Sequence, residues 1–452
     1  MGALVSTLSV QSVNVVASRK AIARTIVPSE IDILTVSGFH LPGDKGAGAL
    51  YIRGDTNGPM PLKDAEGSWW SLCAGSEVWA GWFGVLGQGD DTVAMQRAID
   101  HVAAQPSGGT VRLSAGTYLI GKMGGVTELN NGETEGRADS DTVDRQAYCL
   151  SLPDNVVIVG EAGAVLTGTY TYGNAGLNEL VCIACTQSQL VQNIRVSNIT
   201  FSRHFIAIGV FKALTMVLSH FDNLSFHDCA IGLYSRGLER CFFDQIVGQG
   251  TGALIVVGGH WATRDDNYNE GGGFCDKTFF GPIHNIYQRL FGSPENTIDE
   301  YFDTYFFKTR NNSLMRGSVI GHTSVAARFP YRGICGRAVY LMARHGRPHN
   351  ANRFVLVSHA LAPRAAVWID AAVACVGDLI YLEGCGYRDN VKHLDPIGAT
   401  CTDPYLGTGV RVPAFVRGIM CTIDANSVYA YALNPGNKYP ELTFACDLVV
   451  KQ

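Results

Sequence analysis

Between residues 197 and 257 the chain repeats one alternation of apolar and polar positions three times. The stretches SNITFSRHFIAIGV (197–210), DNLSFHDCAIGLYS (222–235) and DQIVGQGTGALIVV (244–257) superpose, with Ile199, Leu224 and Ile246 in one column. Ile206, Ile231 and Ala253 make a second column, and Ile208, Leu233 and Ile255 a third. The offsets are 25 and then 22 residues. Later, AVYL (338–341) and AVWI (366–369) echo each other 28 residues apart. Alternation with a period of two makes strands, and a repeat in the twenties without paired helices makes a solenoid of β-coils. The LxxLxL frame of a leucine-rich repeat is absent. A single coil cannot bury its Ile, Val, Leu and Phe alone, so each coil must stack on the next.

Upstream, the pattern changes to that of one amphipathic helix. Met95, Ile99 and Val102 fall at i, i+4 and i+7 and predict a helix over residues 92–104. Asp90 and Asp91 precede it, where carboxylates cap free N–H groups, and Ser107-Gly108-Gly109 reads as its glycine stop. Val111 and Leu113, then Tyr118 and Ile120, alternate on either side of Ala115-Gly116 and predict two short strands. The motif GQGDD (87–91) therefore reads as a backbone device: its glycines bend the chain and its aspartates cap the helix. Residues 1–80 form a small β-rich module, with apolar runs at 31–36 and 49–52 broken by Pro42-Gly43-Asp44 and by the turn at 55–59. The aromatic group Trp69, Trp70, Trp79, Trp82 and Phe83 packs that module against the next part of the chain.

Composition narrows the function class. Hydrophobic residues make up 46% and charged residues 17% of 452, enough to bury a large core, and 52 scattered glycines suit many turns between short strands. A formal charge of −5 argues against nucleic-acid binding. No apolar run reaches the length of a membrane span, and residues 1–20 show neither the basic nor the compact apolar region of a Sec signal, so none is expected there, although Met1-Gly2 with Ser6 fits a myristoylation pattern loosely. Of the 13 cysteines, Cys182 and Cys185 are the one close pair; without a second CxxC they argue for buried thiols rather than zinc.

The segments GDDT, GGTVRLSAGTYLI and LPDNVVIVGEAGAVLTG (152–168) resemble the opening coils of the pectate-lyase-like family. That resemblance implies an all-β chain, a single-stranded right-handed parallel β-helix over residues 81–400 with a short N-terminal capping helix. A C-terminal β segment, 401–452, then ends the solenoid. ASRKAI, GALYIRG and GSWWSL leading into WFGV resemble the module that precedes the β-helix in bacteriophage tailspikes. Tailspikes are homotrimers fixed to the virion that bind, and often cleave, host surface polysaccharide. The resemblance thus implies a phage-tail location, assembly in the host cytoplasm and action at the bacterial surface. It also implies attachment to tail or baseplate proteins through residues 1–80.

Candidate chemistry lies where the coil pattern breaks. HWATRDDNYNEGGGFCDK (260–277) gathers Asp265, Asp266 and Glu270 beside Arg264, Trp261 and Tyr268. Glycoside hydrolysis needs one carboxylic acid to protonate the leaving oxygen and a second carboxylate as base or nucleophile. Asp266 and Glu270 are the acids expected to fill these roles, with Asp265 and Glu383 as neighbours. Trp261, Tyr268 and Arg264, with Tyr301 and Tyr305 from PENTIDEYFDTYFFKTR (294–310), are the expected substrate contacts. The same residues also fit a solvated loop, the inward faces of strands and, for Glu383, an edge turn. No metal or cofactor is expected, because the DxDxDG spacing of a calcium loop is missing. Two other activities stay open: a non-enzymatic virion adhesin, and a lyase drawing on Arg264 and His260 or on the basic run ARHGRPHNANR (343–353).

Overall fold

The computed structural model describes residues 14–128, 145–170, 180–258 and 275–286 apart from isolated positions, and then the backbone of short strands between 337 and 432. Two long sheets run through it, each joining strands far apart in sequence by parallel pairing. The repeat columns meet as rungs. Ile199 pairs with Leu224 and Leu224 with Ile246, Ile206 with Ile231 and Ile231 with Ala253, and Ile208 with Leu233 and Leu233 with Ile255. Val339 pairs with Val367 and Leu341 with Ile369. The chain is a parallel β-helix.

One coil contains three strands. A short strand (Leu190–Gln192, Thr215–Val217, Leu238–Glu239) leads into a long one (Arg195–Ser202, His220–His227, Phe242–Gln249). A third (Ile206–Val210, Ile231–Ser235, Ala253–Gly258) closes the coil. The chain turns between strands on single residues in the left-handed region, and these residues also stack. Asn193, Leu218, Arg240 and Lys277 have φ between 47° and 55° at the first corner. Asn198, Asn223 and Gln245 bend the long strands, and Arg203 and Asp228 end two of them. Asparagine accepts this conformation readily, whereas for Leu218 or Gln245 it costs about 1–2 kcal/mol. The coil imposes it regardless, because one rung out of shape breaks the ladder on both sides. Asn223 Nδ2 donates to Asn198 Oδ1 at 2.8 Å, so the bend carries its own side-chain ladder.

Burial separates the strand types. His220–His227 alternates between buried and part-exposed positions, as a strand with one wet face does. Val181–Cys185, Ile206–Val210 and Ile231–Ser235 are buried at every residue, so both faces of that sheet are covered. Inside, like stacks on like: Phe221, Phe243 and Phe280 lie at centroid spacings of 5.2 and 5.3 Å with planes within 11°. Of the described cysteines, Cys149, Cys182, Cys185, Cys229, Cys241 and Cys275 are buried thiols outside any disulfide, as expected, while Cys73 is exposed. Burial pushes the Cys149, Cys229 and Cys241 thiols up to about 12, which leaves them without thiolate reactivity.

At the N-terminal end the helix Thr92–Ala103 buries Met95, Ala98, Ile99 and Val102. It packs against Glu77–Trp79 and Gly109–Leu113, which pair in parallel as the first rungs. GQGDD departs from the expected double cap. Asp90 does cap, accepting from Thr92 N at 3.1 Å while its other oxygen accepts from Gly121 N. Asp91 does not: its backbone is near-helical (φ −91°, ψ 3°), and its carboxylate turns back to accept from Leu86 N and Gly87 N at 2.9 and 3.0 Å. The glycines also act elsewhere than expected. The helix ends at Ala104 in ordinary right-handed geometry, and Gly108 (φ 71°) instead turns the chain into the next strand. A Cβ there would sit 2.0 Å from Asn155 O, so the close approach requires glycine.

The preceding residues form a five-stranded mixed sheet around Trp70, whose indole donates to buried Asp64 at 3.0 Å beneath the Arg53 guanidinium. Burial opposes the Asp64 charge, but Trp70 and the amides of Ser68 and Glu66 hold its carboxyl below the usual range. This sheet meets the solenoid through Lys45, whose ammonium lies 3.9 Å over the Tyr118 ring, and through Trp82, whose indole donates to Ala47 O.

The inner stack and the outer face respond differently to truncation. Phe243→Ala opens a cavity in the inner stack and lowers the unfolding free energy by about 3–5 kcal/mol. Phe242→Ala, one residue away and 48% exposed, shifts it by less than about 0.5 kcal/mol in the same urea melts. His204 makes stability depend on pH. It is fully enclosed beside Leu166 O, its pKa lowered to about 4 by burial. The unfolded chain takes up this proton near pH 6.5 and the folded chain only near pH 4, so stability present above pH 6.5 drains away as pH falls. The wild type is expected to lose about 3 kcal/mol more than His204→Gln between pH 7 and pH 4.

Candidate functional site

Most of the expected site residues lie outside the described part of the chain: Asp265, Asp266, Glu270, Trp261, Arg264 and Tyr268 in 259–274, and Tyr301 and Tyr305 in 287–336. The strands that flank the two segments in sequence are described. Residues 259–274 connect Ala253–Gly258 to Cys275–Asp276, a connection that takes four residues, 211–214, between Ile206–Val210 and Thr215–Val217. Residues 287–336 leave at the other end of the same stretch, after Ile283–Ile286, where other coils need only turns such as 203–205. Both acid-rich insertions thus bracket one stretch of solenoid, 275–286.

Glu383 ends the strand Tyr381–Glu383. It pairs with Ala360, which pairs with Ile286, so Glu383 stands two rungs, about 10 Å, from the point where 287–336 departs. This places it in a strand of the solenoid rather than in an edge turn.

The described surface next to this stretch is the outer face of the long strands. Arg195, His220, Phe242 and Phe279 form one column across four rungs, and Ser197, Asp222 and Asp244 form another. Asp222 is held tightly: Arg195 Nε approaches its Oδ1 at 3.2 Å, Ser197 Oγ donates at 2.9 Å, and His220 Nε2 stands at 3.8 Å. Serine, histidine and aspartate are neighbours here, yet both others reach for the aspartate, so this is not the relay that activates a serine nucleophile. Asp244 has no ion pair or hydrogen bond among the described residues and lies beside Gly281, where an added Cβ would sit 3.0 Å from its Oδ1. No group of three or more metal-ligating side chains occurs among the described residues.

The outer polar column, Ser197 followed by the acids Asp222 and Asp244, was present in the aligned repeats at the first position of each stretch. A search for clustered carboxylates passes over it, because these acids are 22 residues apart in sequence and adjacent only once the coils are stacked.

No protein-family model matches the chain. Among solved structures it is similar to WceF of Pantoea stewartii, a glycan biofilm modifying enzyme with a bacteriophage tailspike-like parallel β-helix fold. That match has 11% identity and a TM-score of 0.42, covering 96% of this chain and 54% of that one. It is also similar to the surface adhesin PfbA of Streptococcus pneumoniae (12%, TM-score 0.40, 68% and 62%). A third is tailspike protein 2 from Escherichia coli O157:H7 bacteriophage CAB120 (10%, TM-score 0.33, 83% and 46%). The chain spans about half to two thirds of the length of these proteins. Likeness at this level concerns the fold, which stands on the strand ladders themselves, and carries no activity with it.

Proposed function

We propose that this chain is a tailspike-like protein that binds a host cell-surface polysaccharide and depolymerises it by glycoside hydrolysis. One observation carries the reading: the two acid- and aromatic-rich segments flank, in sequence, a single stretch of stacked strands, 275–286, which pairs with the long strand Phe242–Gln249. Loops on a rigid scaffold are where binding and catalytic groups concentrate. In this reading Asp266 and Glu270 are the acid and the base or nucleophile, with Asp265 and Glu383 beside them. Trp261, Tyr268, Tyr301 and Tyr305 offer faces and edges for sugar rings, and Arg264 a cation. One carboxylic acid protonates the leaving oxygen while the other carboxylate either activates a water that attacks the anomeric carbon or attacks it itself; in the second case water, deprotonated by the first residue, then hydrolyses the glycosyl-enzyme ester and frees the carboxylate. The five-stranded sheet would attach the protein to phage tail or baseplate proteins, and the working unit would be a homotrimer on the virion.

The test is incubation of the full chain with host surface polysaccharide, following reducing ends and the absorbance of unsaturated uronate. Hydrolysis predicts new reducing ends without that absorbance, and loss of cleavage in the Asp266→Asn, Glu270→Gln double variant. Both signals together would indicate a lyase, binding with neither signal an adhesin, and full activity in the double variant a different pair of acids.

A further inference from the structure

We propose that the outer face of the long strands is a platform for a neutral sugar chain, with Phe242 as its stacking surface and Asp222 and Asp244 as its hydroxyl acceptors. This rests on the polysaccharide reading above and assigns it a substrate class and a second contact region. The first support is the contrast between two aromatic ladders on neighbouring residues. Phe221, Phe243 and Phe280 stack face to face inside, with planes 11° and 5° apart, and hold the core. Outside, His220, Phe242 and Phe279 are 5.8 and 6.3 Å apart and tilted by 41° and 43°, so they do not pair as the inner rings do. Phe242 stays 48% exposed. Packing accounts for the inner column, since the core is lost without it, and leaves the outer one unexplained.

Charge supplies the second support. Arg195 is neutralised by Asp222, while Asp244 on the next rung has no partner among the described residues. Along the four rungs from Arg195 to Phe279, before the column reaches Arg353 on the fifth, a polyanionic chain would meet an uncompensated carboxylate, which disfavours it. Sugar hydroxyls, in contrast, donate to carboxylates, and an aromatic ring beside polar groups is the usual composition of a small-molecule site. Adjacent rungs are about 4.8 Å apart, the scale of one sugar ring, so a chain running along the solenoid axis presents successive rings to successive rungs. A strip of this charge favours hydrolysis of a neutral polymer over elimination from a uronate.

An array of bacterial surface polysaccharides with neutral and with anionic repeat units tests the platform, using the full chain, Phe242→Ala and Asp244→Ala. Melting curves matching the wild type confirm that both variants fold. The wild type is expected to retain neutral polymers at an affinity insensitive to salt, and each variant to bind them about tenfold more weakly. Preference for anionic polymers, or neutral binding undiminished in Phe242→Ala, overturns the platform and leaves the polysaccharide reading in place. Failure of the wild type to retain any glycan on the array overturns both.

Discussion

Parallel stacking at about 4.8 Å per rung is the constraint on which the rest of this structure depends. Each residue of a coil sits on the corresponding residue of the coil before it, so a column must be chemically tolerant of itself along the whole solenoid. Apolar columns satisfy this by packing, as Phe221, Phe243 and Phe280 do. Polar columns satisfy it by hydrogen bonding to themselves, as Asn198 and Asn223 do at the bend. Corners satisfy it by sharing one left-handed conformation, even where the residue is Leu218 or Arg240 and would choose otherwise. The same constraint keeps the chain in order across two long insertions. Phe279 pairs with Phe242 despite 259–274, and Arg337 pairs with Ala253 despite 287–336 as well.

The outer columns of the long strands escape that constraint on one side, because solvent accepts almost any side chain. Arg195, Ser197 and Asp222 use this freedom to tie two rungs together. Asp244 makes no ion pair among the described residues, and Phe242 meets His220 and Phe279 only through tilted rings and stays half exposed, so both present chemistry to something outside the molecule. The division runs through adjacent residues: Phe243 belongs to folding and Phe242 to recognition. A solenoid repeats this division on every rung, so an extended face can be built without a concave pocket.

The inner columns and the helix were legible in the sequence for one reason. Ile199, Leu224 and Ile246, or Met95, Ile99 and Val102, announce themselves by period, and period is what burial on one face imposes. The doubly buried strands were legible only as continuous apolar runs such as IAIGV, which do not show that both faces are covered. The left-handed corners and bends left little trace, since tertiary stacking overrides local preference at Leu218 and Arg240 in the corners and at Gln245 within a strand. Asp91 misled because a carboxylate before a helix usually caps it, whereas here the loop at Leu86 and Gly87 supplies the better-placed donors. The outer acids were hidden for the opposite reason from the core: Asp222 and Asp244 are local to each other only through the fold.

A crystal structure of the full chain with an oligosaccharide cut from the host polysaccharide tests most directly the separation of folding and recognition on this stack. The account predicts sugar rings along the outer face of the long strands, with one ring against Phe242 and hydroxyls within hydrogen-bond reach of Asp222 and Asp244. Sugar bound elsewhere on the molecule, with the His220–Phe242–Phe279 column bare, would contradict it.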